Sequence, residues 1–201
     1  MRSPSVIRIF FAVELAQAMK EKIGEYVSQL KKNAKSHSIK WTKKANLHIT
    51  LQFLGEIKGE HVPTIVDNVK NQLKESVVKT HINLGEVTLF PNPFRPRVIV
   101  FDITPQDELA KISERVGNGI RLSQYDTDTR PFHGHLTLGR LKHPNTNLRF
   151  LSKVDHPAVG YIEVNEVVLF RSDPVPDGTE YTVLERIELA EERCVNLSKP
   201  G

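Results

Sequence analysis

Two short segments of this chain obey one rule. His48-Ile49-Thr50-Leu51 and His135-Leu136-Thr137-Leu138 each read histidine, apolar, threonine, apolar, and they begin 87 residues apart. With 8 His in 201 residues, such a pattern should arise by chance roughly 0.07 times, and a pair only at about the 1-in-400 level. Each copy sits in a stretch that alternates with period two, the signature of a half-buried strand. On a strand, residues two apart share a face. His48 and Thr50 therefore point one way, with Leu47, Ile49, Leu51 and Phe53 facing the core on the other. His135 and Thr137 likewise share a face, opposite Leu136 and Leu138. A chain folded as two similar lobes would bring the two polar faces together across a cleft.

The remaining segments fit such a fold. Val6 to Val13 reads as a strand, Glu14 to about Ala34 as a helix with Ala18, Ile23, Tyr26, Val27 and Leu30 as its apolar stripe, and Ser38 to Trp41 as a short strand. The first motif strand ends at Gly55, and Val62 to about Leu73 forms a second helix with Pro63 in its first turn. Strands follow at His81–Phe90 and Arg97–Asp102, broken by Pro91-Asn92-Pro93, then a helix from Asp107 to Leu122 and the second motif strand from Gly134. Gly160–Phe170 and Tyr181–Leu189 form a hairpin, with turn residues in Pro174–Gly178. The last ten residues read as frayed or surface-bound. Short connections between successive strands favour antiparallel pairing with helices laid on one face, an α+β class.

Composition removes several alternatives. The chain is 39% hydrophobic and 26% charged, ordinary for a globular protein. No apolar run approaches the roughly 20 residues needed to span a bilayer. Arg8 interrupts the first apolar stretch, so no signal peptide is expected, and a cytoplasmic location is the simplest expectation. The single cysteine, Cys194, allows neither an intrachain disulfide nor a cysteine-based zinc site. There is no Gly-x-Gly-x-x-Gly and no Walker loop. The net charge of +4 is uneven: residues 1–44 carry 10 Lys/Arg against 3 Asp/Glu. A basic first quarter permits an anionic partner such as RNA, although a solvated helix face is the commoner use of such charge.

Two histidines and two hydroxyls suit a particular chemistry. Histidine exchanges protons near neutral pH, so a pair can supply one neutral base and one protonated acid together. The hydroxyls can donate to the oxygens of an anion. Cleavage of a phosphodiester fits, with no metal, cofactor or covalent intermediate required. The bland alternative is four half-exposed strand residues without a joint role. A three-histidine metal site from His48, His133 and His135 is chemically conceivable, but it leaves the threonines unexplained, and His133 reads better as a residue of the site rim.

These residues resemble the two-histidine (2H) phosphoesterase superfamily, and within it the bacterial RNA 2',3'-cyclic phosphodiesterases, also called 2'-5' RNA ligases. The likeness runs through Ile9–Val13, Trp41–Gly55, Arg97-Val98, Arg130–Leu138, Val167–Ser172 and Tyr181. Members commonly carry Pro just before the second motif histidine, where this chain has Gly134, a looser backbone position. The resemblance implies one domain, 1–201, of two similar lobes, each an antiparallel sheet flanked by helices, with the active site between them. It implies RNA ends bearing a 2',3'-cyclic phosphate, or small cyclic nucleotides, as substrates opened to 2'-phosphomonoesters, with 2'-5' ligation as the reverse reaction. It implies a monomer without membrane attachment. In the roles it implies, His48 is the proton donor, His135 the proton acceptor, and Thr50 and Thr137 hold phosphate oxygens. Arg140 is a further candidate for the phosphate, although strand parity aims it away from the site unless Gly139 carries a bulge. Phe10, Phe11 and Trp41 are candidates to stack a base, with core packing the stronger expectation. The alternatives are a superfamily relative acting on another cyclic or 2'-5' nucleotide phosphodiester, and a nucleotide- or RNA-binding module without turnover.

Overall fold

Runs of branched and aromatic residues bury best on a pleated surface, and nine of them form one antiparallel sheet in the computed structural model, which describes residues 5–74, 77–128, 130–157 and 159–191. The strands are β1 (Val6–Glu14), β2 (Ile39–Trp41), β3 (His48–Lys58), β4 (Thr80–Phe90), β5 (Val98–Thr104), β6 (His135–Leu141), β7 (Tyr161–Val164), β8 (Glu166–Val175) and β9 (Gly178–Glu188). Their order is β7-β4-β5-β6-β3-β1-β8-β9, with β2 paired to β6. Along that order, β2 aside, four strands lie on each side of the β6–β3 junction, and the two motif strands are the ones that meet there. They touch through one residue pair, Ile49 with Leu136. Each of these sits between the His and Thr of its motif, so the antiparallel register sets His48 toward Thr137 and Thr50 toward His135.

Three helices cover the sheet: α1 (Gln17–Ala34), α2 (Val62–Lys74) and α3 (Gln106–Leu122). Helix α1 buries Ile23, Tyr26, Val27 and Leu30 as its spacing predicts, and Tyr26 reaches Phe101 of β5 at a ring separation of 5.6 Å. Ala18 is exposed, however, and Lys20 is buried in its place, its charge met by Glu14 at 2.7 Å. Helices α2 and α3 pack together where Gly119 leaves no room for a side chain: a Cβ there would lie 2.6 Å from Val69 Cα.

Three sequence expectations need correction. Strand β3 does not end at Gly55 but passes through it, at φ +75°, to Lys58. Gly160–Phe170 is two strands rather than one. The break comes at Asn165: before it β7 pairs with β4 at one end of the sheet, and after it β8 pairs with β1 and β9 toward the other. The hairpin is β8–β9, turning at Pro176-Asp177. Phe53 does not face the core, for a reason that belongs to the site. The last ten residues, including Cys194, lie outside the described residues. None of the described helices is long and apolar enough to cross a membrane.

Candidate active site

His48, Thr50, His135, Thr137 and Arg140 all line one cavity of about 270 Å³. They arrive from β3 and β6. The remaining wall comes from Phe10 and Phe53, the Lys40–Lys43 segment, Asn46, and the β8–β9 hairpin with Ser172, Gly178 and Tyr181.

Each motif histidine is held in the same way. His48 Nδ1 lies 2.7 Å from the carbonyl oxygen of Asn46, and His135 Nδ1 lies 2.8 Å from that of His133. A carbonyl only accepts, so Nδ1 carries the hydrogen in both rings. Both Nε2 atoms are thereby left free to take or give a proton. Thr50 Oγ1 lies 3.0 Å from His48 Nε2 and donates to it while the ring is neutral. Once His48 is protonated, the Thr50 hydroxyl is released to donate to an anion instead. Asn46 is itself anchored, its Nδ2 donating to Thr179 O at 2.7 Å.

The rings differ in their surroundings. His48 is enclosed by Phe10 at 4.9 Å, Tyr181 edge-on at 5.2 Å and Phe170 at 6.4 Å between ring centroids. Burial pushes its pKa down from the usual histidine value to about 4, against the raising effect of the Asn46 carbonyl and with help from the Arg140 and Lys20 charges. His135 stacks on Phe90 at 4.8 Å. Burial lowers its pKa as well, opposed by the His133 carbonyl and aided by the His133 and Arg140 charges. The unliganded site therefore holds two neutral imidazoles. An anion beside Arg140 would offset one cause of the depression in both.

Arg140 reaches the cavity because β6 does bulge. Thr137 pairs with Val100 and Gly139 with Ile99, so Leu138 has no partner on β5. Leu138 and Gly139 are both buried in succession, and Arg140 emerges on the face of His135 and Thr137. Strand β3 does the same. Thr50 pairs with Ala12 and Gln52 with Phe11, leaving Leu51 unpaired on β1, and Phe53 turns out onto the site face, 56% exposed. The pleat alone put Phe53 in the core; the extra residue reverses its direction. Helix α3 fastens this bulge: Ser113 Oγ donates to Leu51 O at 2.8 Å and accepts from Gln52 Nε2 at 3.0 Å.

The same helix fastens the second motif. Gln106 Nε2 donates to Gly134 O at 2.9 Å, and Gly134 N donates to Gln106 Oε1 at 2.8 Å. Gly134 is therefore not loose. A proline there would lack the hydrogen that the Gln106 oxygen accepts, and any Cβ would press within 3.2 Å of that oxygen. Nothing in the local sequence announces Gln106, whose partner lies 28 residues away.

Of the stacking candidates, Phe10 and Phe11 are buried, Phe10 as the floor beneath His48, whereas Trp41 lines the cavity wall. Phe53 and Tyr181 also line it; neither was a candidate from sequence. His133 does not line it. Its Nε2 faces Asp102 Oδ1 at 3.3 Å and its ring stacks on Phe90 at 5.5 Å. Among the described residues no three His, Cys, Asp or Glu side chains converge as metal ligands.

Comparison with known proteins points to phosphoesterases. The family described as LigT like Phosphoesterase matches residues 13–100. An RNA 2',3'-cyclic phosphodiesterase of Archaeoglobus fulgidus is 29% identical over 184 residues, covering 90% of this chain and 100% of that one. One of Methanothermobacter thermautotrophicus is 27% identical over 191 residues, 91% and 99% of the two chains. Among solved structures, TT0787 of Thermus thermophilus superposes with a TM-score of 0.75 at 25% identity, covering 92% of this chain and 100% of that one. E. coli LigT complexed with 3'-AMP also gives 0.75, at 22% identity over 93% and 100%. Residues 13–100 thus match the LigT like Phosphoesterase family, and the chain as a whole shares the fold of TT0787.

Proposed function

We propose that the protein hydrolyses RNA 2',3'-cyclic phosphate ends to 2'-phosphomonoesters by acid–base catalysis. The observation that carries this reading is the matched pair of imidazoles in one cavity, each with Nδ1–H tied to a backbone carbonyl, which leaves Nε2 as the proton-exchanging atom. His135 Nε2 takes a proton from water as the water oxygen bonds to phosphorus. The bond from phosphorus to the 3'-oxygen breaks, and His48 Nε2–H protonates that oxygen. The 2'-ester bond is kept, and the two histidines end with their protonation states exchanged. Arg140, Thr50 and Thr137 bind the non-bridging oxygens, where charge grows in the transition state. Burial works against a proton on His48, and the phosphate anion supplies the charge that restores it. A 5'-hydroxyl attacking phosphorus in place of water, with the 3'-oxygen again the leaving group, gives 2'-5' ligation; water is in vast excess, so hydrolysis dominates. We read the whole chain as one bilobal phosphodiesterase domain with the cavity between its lobes.

The test is incubation with a 2',3'-cyclic mononucleotide and with RNA ending in a cyclic phosphate, both in EDTA. The expected products are 2'-phosphates only, formed at the same rate with and without chelator. Loss of activity in EDTA with recovery on added zinc would replace the acid–base reading by a metal one. Binding without turnover would make the protein a nucleotide- or RNA-binding module. Turnover of other cyclic or 2'-5' phosphodiesters alone would make it a relative with a different substrate.

A further inference from the structure

The catalytic cavity has a neighbour that shares part of its wall. Trp41, Thr42 and Lys43 form part of its wall and also one wall of a second groove, of about 800 Å³, that runs between α1 and the segment after β2. Lys31, Lys32 and Lys44 line this outer groove. Lys40 and Lys43 stand at the junction, their side chains close to the position a Cβ of Gly178 would take (3.8–4.0 Å). All five lysines are exposed, and among the described residues none is in an ion pair. Glu21 and Glu25 are the acidic groups on the groove wall, so positive charge remains in excess. Lys44 lies across Gly24, its Cγ and Cδ 3.0 Å from where a Cβ would stand. Lys31 follows Gly24 by seven residues, two helical turns or about 10 Å along the axis. The cations thus extend from the cavity wall, at Lys40 and Lys43, into the outer groove, at Lys31, Lys32 and Lys44.

We infer that this groove carries the 5'-ward body of a single-stranded RNA whose 3' end occupies the catalytic cavity, making a polynucleotide rather than a mononucleotide the preferred substrate. The inference rests on the proposed hydrolysis of cyclic phosphate ends. A cyclic phosphate exists only at the 3' terminus, so every other phosphate must leave the inner cavity in one direction. A strand so placed meets lysines that act as point charges on its backbone and carry no base preference. The basic excess of the first 44 residues is then more than a solvated helix face.

The experiment compares kcat/KM for a 2',3'-cyclic mononucleotide and for a ten-nucleotide RNA ending in a cyclic phosphate, across a salt series. The triple variant Lys31→Glu, Lys32→Glu, Lys44→Glu should lose about 10-fold or more on the RNA at low salt and flatten its log–log salt slope by about 2, from roughly 0.7 per phosphate contact. Its rate on the mononucleotide should stay within about 2-fold, since general acid–base groups are untouched. A matched control, Lys58→Glu, Lys74→Glu, Lys111→Glu, should spare both substrates. Equal losses on both substrates, no loss on the RNA, or an equal loss in the control overturns the inference. If the unaltered protein turns over neither substrate, the hydrolysis reading fails instead. The groove is then judged by anisotropy of a labelled RNA ending in a 2'-phosphate, which must bind more weakly to the triple variant than to the control.

Discussion

The two halves of the site are built alike and finished differently. In each, an Nδ1–H is tied two residues back along the chain, a phenylalanine ring lies against the imidazole, and the strand bulges at the residue after threonine. In each, the bulge turns out the residue three past the threonine. On β3 that residue is Phe53; on β6 it is Arg140. One half therefore offers a flat apolar ring around a deeply enclosed histidine, and the other a fixed cation beside a more open one. A nucleotide with a terminal phosphate has the matching asymmetry, a base on one side and an anion on the other. A shared backbone device can thus supply the chemistry twice while the residue it exposes divides the labour of binding.

The strongest challenge to this likeness is removal of either imidazole. His48→Ala and His135→Ala should each lower kcat on a 2',3'-cyclic nucleotide by about 10²–10⁴-fold, and the double variant should be little worse than either single one, as the proposed single acid–base step requires. Near-normal turnover by either single variant would show that the halves are not chemical partners.

The difference between the halves is sharpened by Arg140→Ala and Phe53→Ala. A lost charge-assisted hydrogen bond is worth about 1.5–3 kcal/mol, so Arg140→Ala should reduce kcat/KM by about 10- to 150-fold on every substrate. Stacking is worth about 1–3 kcal/mol per base. Phe53→Ala should therefore raise KM more for purine than for pyrimidine cyclic nucleotides and leave kcat close to normal. Equal, base-independent effects of the two substitutions would erase the assigned division.

The smallest expected effect lies in stability. His48 titrates at about 4 when folded and near 6.5 when unfolded, so below about 6.5 the unfolded chain binds more protons. Stability is then full above that pH and falls as the pH drops toward 4. Between pH 7 and pH 5 the loss from this one residue should be up to about 2 kcal/mol. Urea unfolding at the two pH values should show that loss in the unaltered protein, and His48→Gln should remove it. The same slope in both proteins would mean that His48 is less enclosed than its partner ring suggests.

Much of this was legible in the amino-acid order. The repeated His-x-Thr placed four polar residues on two strand faces, and the structure brings all four to one cavity. The pleat held as far as Leu51 and Leu138 and failed beyond them. A bulge inserts one residue, and here the neighbours are apolar or small, so no break in pattern marks it. Arg140 was a candidate from the family resemblance, against strand parity, and Gly139 permitted the bulge that parity required; nothing comparable stood beside Phe53. The break at Asn165 escaped for a similar reason, since the residues on both sides favour strands and only the pairing partner changes. Gln106 opens a helix in the ordinary way, and its grip on Gly134 depends on a segment far along the chain.

Gln106 and Ser113, the two fasteners on α3, are seven residues apart, about two turns, so they project from nearly the same side of the helix. Each holds a different motif strand by its backbone. Adding or deleting one residue between them would swing one fastener about 100° around the axis and release one strand while keeping the other. The stretch from 106 to 113 is thus fixed in length as well as in composition at its ends. The turns at 91–96 and 142–147, which hold neither strand in this way, are where this chain can gain or lose residues without changing the distance between its two imidazoles.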